Sequence, residues 1–214
     1  MYGASERDID QIAEYADSTV RQAIRTGSLA PIAGRRGLNA WLYDKWGNRG
    51  NAVYTALGSL LTIALSGLFA WALNEPLVFP SLGATAFLFF ETPLAEVASI
   101  RNTVIGHSVG AGVAFVWLNV FGLVGDPSAI AEGFDARRVA CVALSLAFTG
   151  GILRLLRAAH PPAGATTVIV SIGLLTTWDE LLILMAGVLL LAASAWALNR
   201  ALGVPAPLWT TANY

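Results

Sequence analysis

Four apolar runs limit what this chain can fold into: Ala52–Leu73, Thr103–Val124, Val139–Leu156 and Leu181–Leu198. Each approaches the roughly 20 residues a helix needs to cross a bilayer. None contains an Asp or Glu. In hydrocarbon, backbone polar groups must be satisfied within the segment, so runs of this length read as helices. Composition agrees with this. Only 13% of the residues are charged, against about 25% in a soluble domain, too few to cover a soluble surface. The fold expected is an all-α polytopic membrane protein whose main partner is the lipid bilayer. A net charge of −1 argues against nucleic acid as a partner.

The runs are interrupted in a repeating way. Pro80-Ser81-Leu82-Gly83-Ala84-Thr85 lies between the first and second, and Pro161-Pro162-Ala163-Gly164-Ala165-Thr166 between the third and fourth. Both read Pro-x-x-Gly-Ala-Thr, and apolar residues follow each, Ala86–Phe90 and Val168–Leu175. Proline cannot continue a helix from upstream and favours extended backbone before it. Each stretch is therefore expected to be an extended lead feeding a short helix. Each half of the chain becomes long run, broken element, long run. With three crossings per half the halves have opposite orientation, so the expectation is an inverted 3+3 repeat of four long transmembrane helices and two short broken helices.

Charge supports six crossings over re-entrant loops. Seven of the 13 Lys and Arg residues precede the first run, which places the N-terminus in the cytoplasm of an inner (plasma) membrane. If both broken elements cross, Arg101, Arg154, Arg157 and Arg200 share that side, and only Arg137 and Arg138 break the bias. Residues 1–36 read as an amphipathic helix and linker, with Ile9, Ile12, Ala13, Ala16, Val20, Ala23 and Ile24 at helical spacing. That helix either lies solvated on the membrane or on the transport domain, or drives homo-oligomerisation, a dimer being favoured. Residues 37–50, with Trp41, Tyr43, Lys45, Trp46 and Arg49, suit the headgroup region. The transmembrane domain is expected over 51–203 and a C-terminal tail over 204–214. The polar start does not read as a signal peptide. Cys141, the single cysteine, reads as a small core residue.

A helix N-terminus offers unpaired N–H groups and the positive end of the helix dipole. Two such ends near the midplane would bind a small anion. Gly83 and Gly164 would let it approach the backbone, Thr85 and Thr166 would add hydroxyls, and Ala84 and Ala165 would keep the pocket small. The alternative is that Gly-Ala-Thr is a close-packing motif. His160 either attracts an anion or carries a proton, or it bonds a carbonyl freed by Pro161 or Pro162. His107 is the other candidate for proton work, or else a satisfied interhelical residue. Arg101 either snorkels to the interface or stabilises the end of the first broken helix. With Arg154, Arg157 and His160 it would form an electropositive mouth, and Asn102 and His107 are further gating or electrostatic candidates. Gly58, Gly67, Gly106, Gly110, Gly112, Gly150, Gly151 and Gly187 would let helices approach. Metal spacings, phosphate loops and dinucleotide glycine patterns are absent from the sequence, so neither an enzyme nor a cofactor is expected.

These motifs also carry a resemblance. His160-Pro161-Pro162-Ala163-Gly164-Ala165-Thr166 matches the motif that gives the HPP family of integral membrane proteins its name. Pro80–Thr85, Arg101-Asn102 and Gly106-His107 look like its other signatures, and the likeness spans roughly residues 50 to 203. Members are usually described with four spanning helices, and some transport nitrite. The resemblance thus implies a transporter of a small inorganic anion, nitrite first. A channel of the same fold, or a sensor or scaffold that binds a partner without transport, are the alternatives.

Overall fold

A computed structural model describes residues 37–209, and every regular element among them is helical. In chain order these are α1 (Leu38–Trp46), α2 (Asn48–Leu73), α3 (Pro80–Glu91), a 3-10 turn (Glu96–Ala98), α4 (Ile100–Val120), the single-turn α5 (Ala129–Glu132), α6 (Ala136–Leu155), α7 (Pro162–Ser171) and α8 (Trp178–Ala201). The expected helix within 1–36 lies outside the described residues. The long helices α2, α4, α6 and α8 are long and apolar enough to cross a membrane. All four begin about a turn before the apolar runs, because polar residues open them. Ser99, Asp135 and Thr177 cap α4, α6 and α8 by accepting the N–H of Asn102, Arg138 and Glu180. The second run was expected to reach Val124, but α4 stops at Val120 and Gly122 turns the chain at φ 63°.

Residues 37–50 form α1 and a sharp turn into α2. Gly47 makes that turn at φ 57°, ψ −135°, where a side chain would be strained. Lys45 Nζ sits 5.0 and 5.2 Å from the ring centroids of exposed Trp41 and Trp46, a grouping suited to headgroups. At the other terminus Val204 and Ala206 are buried, and the Trp196 ring N–H donates to the Ala206 carbonyl at 3.2 Å. The packed body thus runs past the expected boundary at 203.

Contacts fix the direction of every segment. At one end the Leu38 N–H donates to Leu202 O (2.9 Å) and the Arg101 guanidinium donates to the carbonyls of Leu156 (3.2 Å) and Arg157 (3.1 Å). Asn199 of α8 donates to Phe89 O at 3.1 Å. The start of α4 and the ends of α3, α6 and α8 therefore lie together there. At the opposite end the Ala129 N–H donates to Ile172 O (2.8 Å), and Arg138 donates to Pro127 O (2.9 Å). The loop after α4, the start of α6 and the end of α7 meet there. Residues 74–79 with α3, and 156–161 with α7, each run from one end to the other.

The two broken elements are built alike. Asn74 and Arg157 end α2 and α6 in left-handed conformations, φ 54° and 50°. The next N–H reaches back five residues in each case, Glu75 to Ala70 O (3.1 Å) and Ala158 to Leu153 O (3.0 Å), a helix stop of the Schellman type. α3 has 12 residues and α7 has 10, so each spans about 15–18 Å at 1.5 Å per residue, near half of the ~30 Å hydrocarbon layer. Proline occupies the first turn of both helices, where its missing N–H costs little. Phe79 before α3 is extended as expected, but Pro161 already has helical angles, φ −52° and ψ −37°. The apolar run Val168–Leu175 is only partly helical, because α7 ends at Ser171 and Gly173 turns at φ 85°. Leu82, Ala86, Leu118, Val170, Leu184 and Val188 fill the centre.

Small residues seat the broken helices against the long ones. A Cβ added to Gly106 would lie 2.8 Å from the His160 Cβ, and one on Gly187 would lie 2.7 Å from Leu77 O. Gly58 and Gly110 are similarly closed in. Gly67, Gly112, Gly150 and Gly151 have open space instead, which corrects the expectation that they mediate contacts within one chain. Cys141 is buried as expected.

Candidate functional site

α3, α4 and α7 meet at a polar junction inside the apolar core. α4 presents His107, α3 presents Thr85, α7 presents Thr166, and His160 hangs from the lead into α7. All four are buried. The two imidazole Nε2 atoms lie 3.2 Å apart. Thr166 Oγ1 is 2.7 Å from His107 Nδ1, and Thr85 Oγ1 is 3.1 Å from His107 Nε2. His160 Nδ1 lies 2.8 Å from the Val97 carbonyl.

The partners fix where the protons sit. A carbonyl only accepts, so His160 Nδ1 carries hydrogen and donates to Val97 O. In neutral His160, Nε2 is then an acceptor. The short Nε2–Nε2 contact therefore requires hydrogen on His107 Nε2. That leaves His107 Nδ1 as an acceptor, filled by the Thr166 hydroxyl. Thr85 gives its own hydrogen to Ser81 O at 2.9 Å and shares the His107 Nε2–H with His160. Every polar atom of both rings is satisfied, as burial demands.

One polar atom nearby is not. Ser81 Oγ is buried without a hydrogen-bond partner. Ser81 precedes Thr85 by four residues, so it lies on the same helix face one turn closer to the start of α3. Sequence reasoning passed over Ser81 and the Val97 carbonyl. For Ser81 the signal was present, as it sits four before Thr85 inside the repeated motif. For a main-chain oxygen there was none.

Other expected site residues fall elsewhere. Ala84 and Ala165 are exposed and Gly83 and Gly164 half-exposed, so they face outward rather than lining a pocket. Nothing approaches a Cβ on Gly83, and only Leu146, at 3.6 Å, approaches one on Gly164. The start of α7 is also not an open cradle of N–H groups. Pro162 has none, and those of Ala163 and Gly164 already donate to His160 O and Pro161 O, each at 3.0 Å. The junction is polar through side chains.

Arg101 and Asn102 do a different job from the one expected. Arg101 closes the C-terminal carbonyls of α6, not the end of the first broken helix, and also donates to Asn102 Oδ1 at 2.8 Å. Asn102 Nδ2 donates to Ala159 O at 3.2 Å. The lead into α7 is thus held by α4, which leaves His160 free to bond Val97 rather than a carbonyl released by the prolines. Arg154 and Arg157 are exposed at the same end. That end carries Lys45, Arg49, Arg101, Arg154, Arg157 and Arg200 against Asp44, Glu91 and Glu96 among the described residues. The opposite end carries Arg137 and Arg138 against Glu75, Asp126, Glu132, Asp135, Asp179 and Glu180.

Four membrane-length helices, two half-length ones and a polar junction between them define a multi-pass α-helical membrane protein. The model of the HPP transmembrane region matches residues 45–207, and the chain belongs to that family. Neither a curated protein nor a solved structure matches it.

Proposed function

We propose that this protein transports a small inorganic anion, and that the junction of α3 and α7 recognises it. Nitrite is the first candidate, the one that the family resemblance implies. The observation that carries this reading is the junction itself. Two histidines and two threonines meet there, the buried Ser81 hydroxyl one turn before Thr85 has no partner, and no carboxylate bonds either ring. Ionisable groups at membrane depth are costly, and their default reading is functional. A set of donors without fixed negative charge suits an anion. The cationic end would raise the local anion concentration, and the bias of basic residues assigns it to the cytoplasm of the plasma membrane. The opposed halves read as an inverted 3+3 repeat, the plan in which one bundle rocks against another around a midplane site.

Purified protein in proteoliposomes, given nitrite, nitrate, formate and chloride in turn, tests this. Saturable nitrite uptake above that of empty vesicles is the expected result. Uptake of none of the four would count against the reading. A linear current–voltage relation would reassign the protein to a channel.

A further inference from the structure

Resting on that reading, we infer that His107 and His160 together hold one proton and move it with the anion, so that the transported unit is one proton with one monovalent anion.

The neutral pair has two hydrogens on four ring nitrogens, at His160 Nδ1 and His107 Nε2. A third hydrogen fits with the heavy atoms where they are. It bonds to His107 Nδ1, which turns from acceptor to donor toward Thr166 Oγ1 at 2.7 Å, and the Thr166 hydroxyl hydrogen rotates away. His107 Nε2–H still points at His160 Nε2, so the charge is shared across the 3.2 Å contact. His160 Nδ1–H still donates to Val97 O. Each ring nitrogen keeps a partner, and the net change is one proton bound and one positive charge gained. A fourth hydrogen does not fit, because it would set two N–H groups against each other at that distance. The limit of one proton is therefore geometric.

Coupling follows from burial. His107 is fully buried and His160 is 2% exposed. An imidazolium pair there has no counter-ion. The charged groups on the elements packed around it are Glu91 on α3, Glu96 on the 3-10 turn, Arg101 on α4, Arg137, Arg138 and Arg154 on α6, and Asp179, Glu180 and Arg200 on α8; α7 has none. None bonds to either ring, and the Cys141 thiol on α6 bonds Ser171 O instead. A lone buried charge is expensive, and an opposite charge beside it offsets much of that cost. A monovalent anion near the Ser81 hydroxyl would supply it. Proton and anion then load and leave together, and the loaded site is neutral.

Two measurements on the full chain test this, and they fail independently. The sequence contains only two histidines, so tag-free protein labelled with 15N-histidine in lipid nanodiscs shows just these two rings. At high pH His160 should carry its hydrogen on Nδ1 and His107 on Nε2. On acidification both rings should change together in one step, with uptake of one proton. Thr166→Val should alter the His107 Nδ1 signal while Thr167→Val leaves it unchanged. Two independent titrations, or hydrogen on His160 Nε2 in the neutral state, would overturn the shared proton. The second measurement is nitrite uptake into vesicles with membrane potential clamped at zero. With the interior one pH unit more alkaline, nitrite should accumulate to about tenfold its outside concentration, the ratio for one proton per anion, and faster than in empty vesicles. His107→Gln and His160→Gln should each abolish that accumulation. Nitrite uptake that ignores the gradient would overturn coupling while leaving transport standing. Absence of any nitrite uptake alongside a one-proton titration would overturn the transport reading and leave the proton site standing.

Discussion

The two broken elements share a backbone plan and differ in polarity. Both follow a left-handed helix stop, both begin with proline in the first turn, and both set a threonine toward α4. Their closing carbonyls are held the same way by the preceding long helix. Thr55 of α2 donates to Phe90 O (3.3 Å), and Arg138 of α6 donates to Ser171 O (3.4 Å). Thr55 stands as far before Asn74 as Arg138 does before Arg157. At the registers that match Thr85 to Thr166 and Gly106 to Gly187, however, Phe79 stands for His160, Ser81 for Pro162, and Val188 for His107. The two elements share a backbone plan while their chemistry differs. The second half contributes His160, the first contributes His107 and Ser81, and neither half alone makes the junction.

The largest effect expected is all-or-none. If the halves oppose each other, cysteines at exposed Glu96 and Arg154 are labelled from one side of the membrane. Cysteines at Asp126 and Trp178 are labelled only from the other, all in a Cys141→Ala background. Labelling of Glu96→Cys and Arg154→Cys from opposite sides breaks the symmetric plan.

Next come the packing glycines. Gly106→Val pushes methyl groups into His160, and overpacking of this kind costs about 1–3 kcal/mol. Gly83→Val and Gly164→Val face open space and should leave thermal stability nearly unchanged. If they instead lower the oligomeric mass on light scattering, those outward faces meet a second copy.

His160→Phe converts the second lead into a copy of the first. It leaves Val97 O without its histidine donor, at a cost of about 1–3 kcal/mol, and leaves Thr85 Oγ1 as the remaining acceptor of His107 Nε2–H. A clear fall in melting temperature is expected, and an unchanged one would show the hydrogen bonds to be dispensable. Thr85→Val and Thr166→Val should each cost roughly 1 kcal/mol. Thr167→Val should cost a similar amount, because Thr167 donates to Ala163 O (3.0 Å) and bonds Thr149 of α6 (3.1 Å), yet it should not alter anion affinity.

The smallest effects lie at the caps. Thr177→Ala removes a capping box from α8 and should cost about 1 kcal/mol. Asp135 caps α6, where the Arg138 N–H, with help from Arg137, holds its carboxyl below the usual carboxylate range. A lowered carboxyl stabilises the fold above its unfolded-state value, and that contribution disappears as pH falls through the native value. Asp135→Asn should flatten this acid-side loss in thermal melts, and an unchanged profile would show the cap to be inert.

The sequence by itself determined the spans and the breaks. Apolar length, proline and the repeated Gly-Ala-Thr are local signals, and hydrocarbon leaves the backbone few alternatives. Charge counting likewise anticipated which arginines share an end, because the bias is one-dimensional. Only the tertiary structure decided which faces turn inward. Gly83 and Thr85 sit two residues apart yet look in different directions, about 200° around a helix, so the motif named the region without naming its inner face. His107 and His160 are 53 residues apart, and nothing along the chain announces a contact that depends on how α4 leans on α7. Arg101 was legible as a cation at a helix start. That it binds carbonyls of Leu156 and Arg157 follows from the ends of α4 and α6 meeting, which is a property of packing.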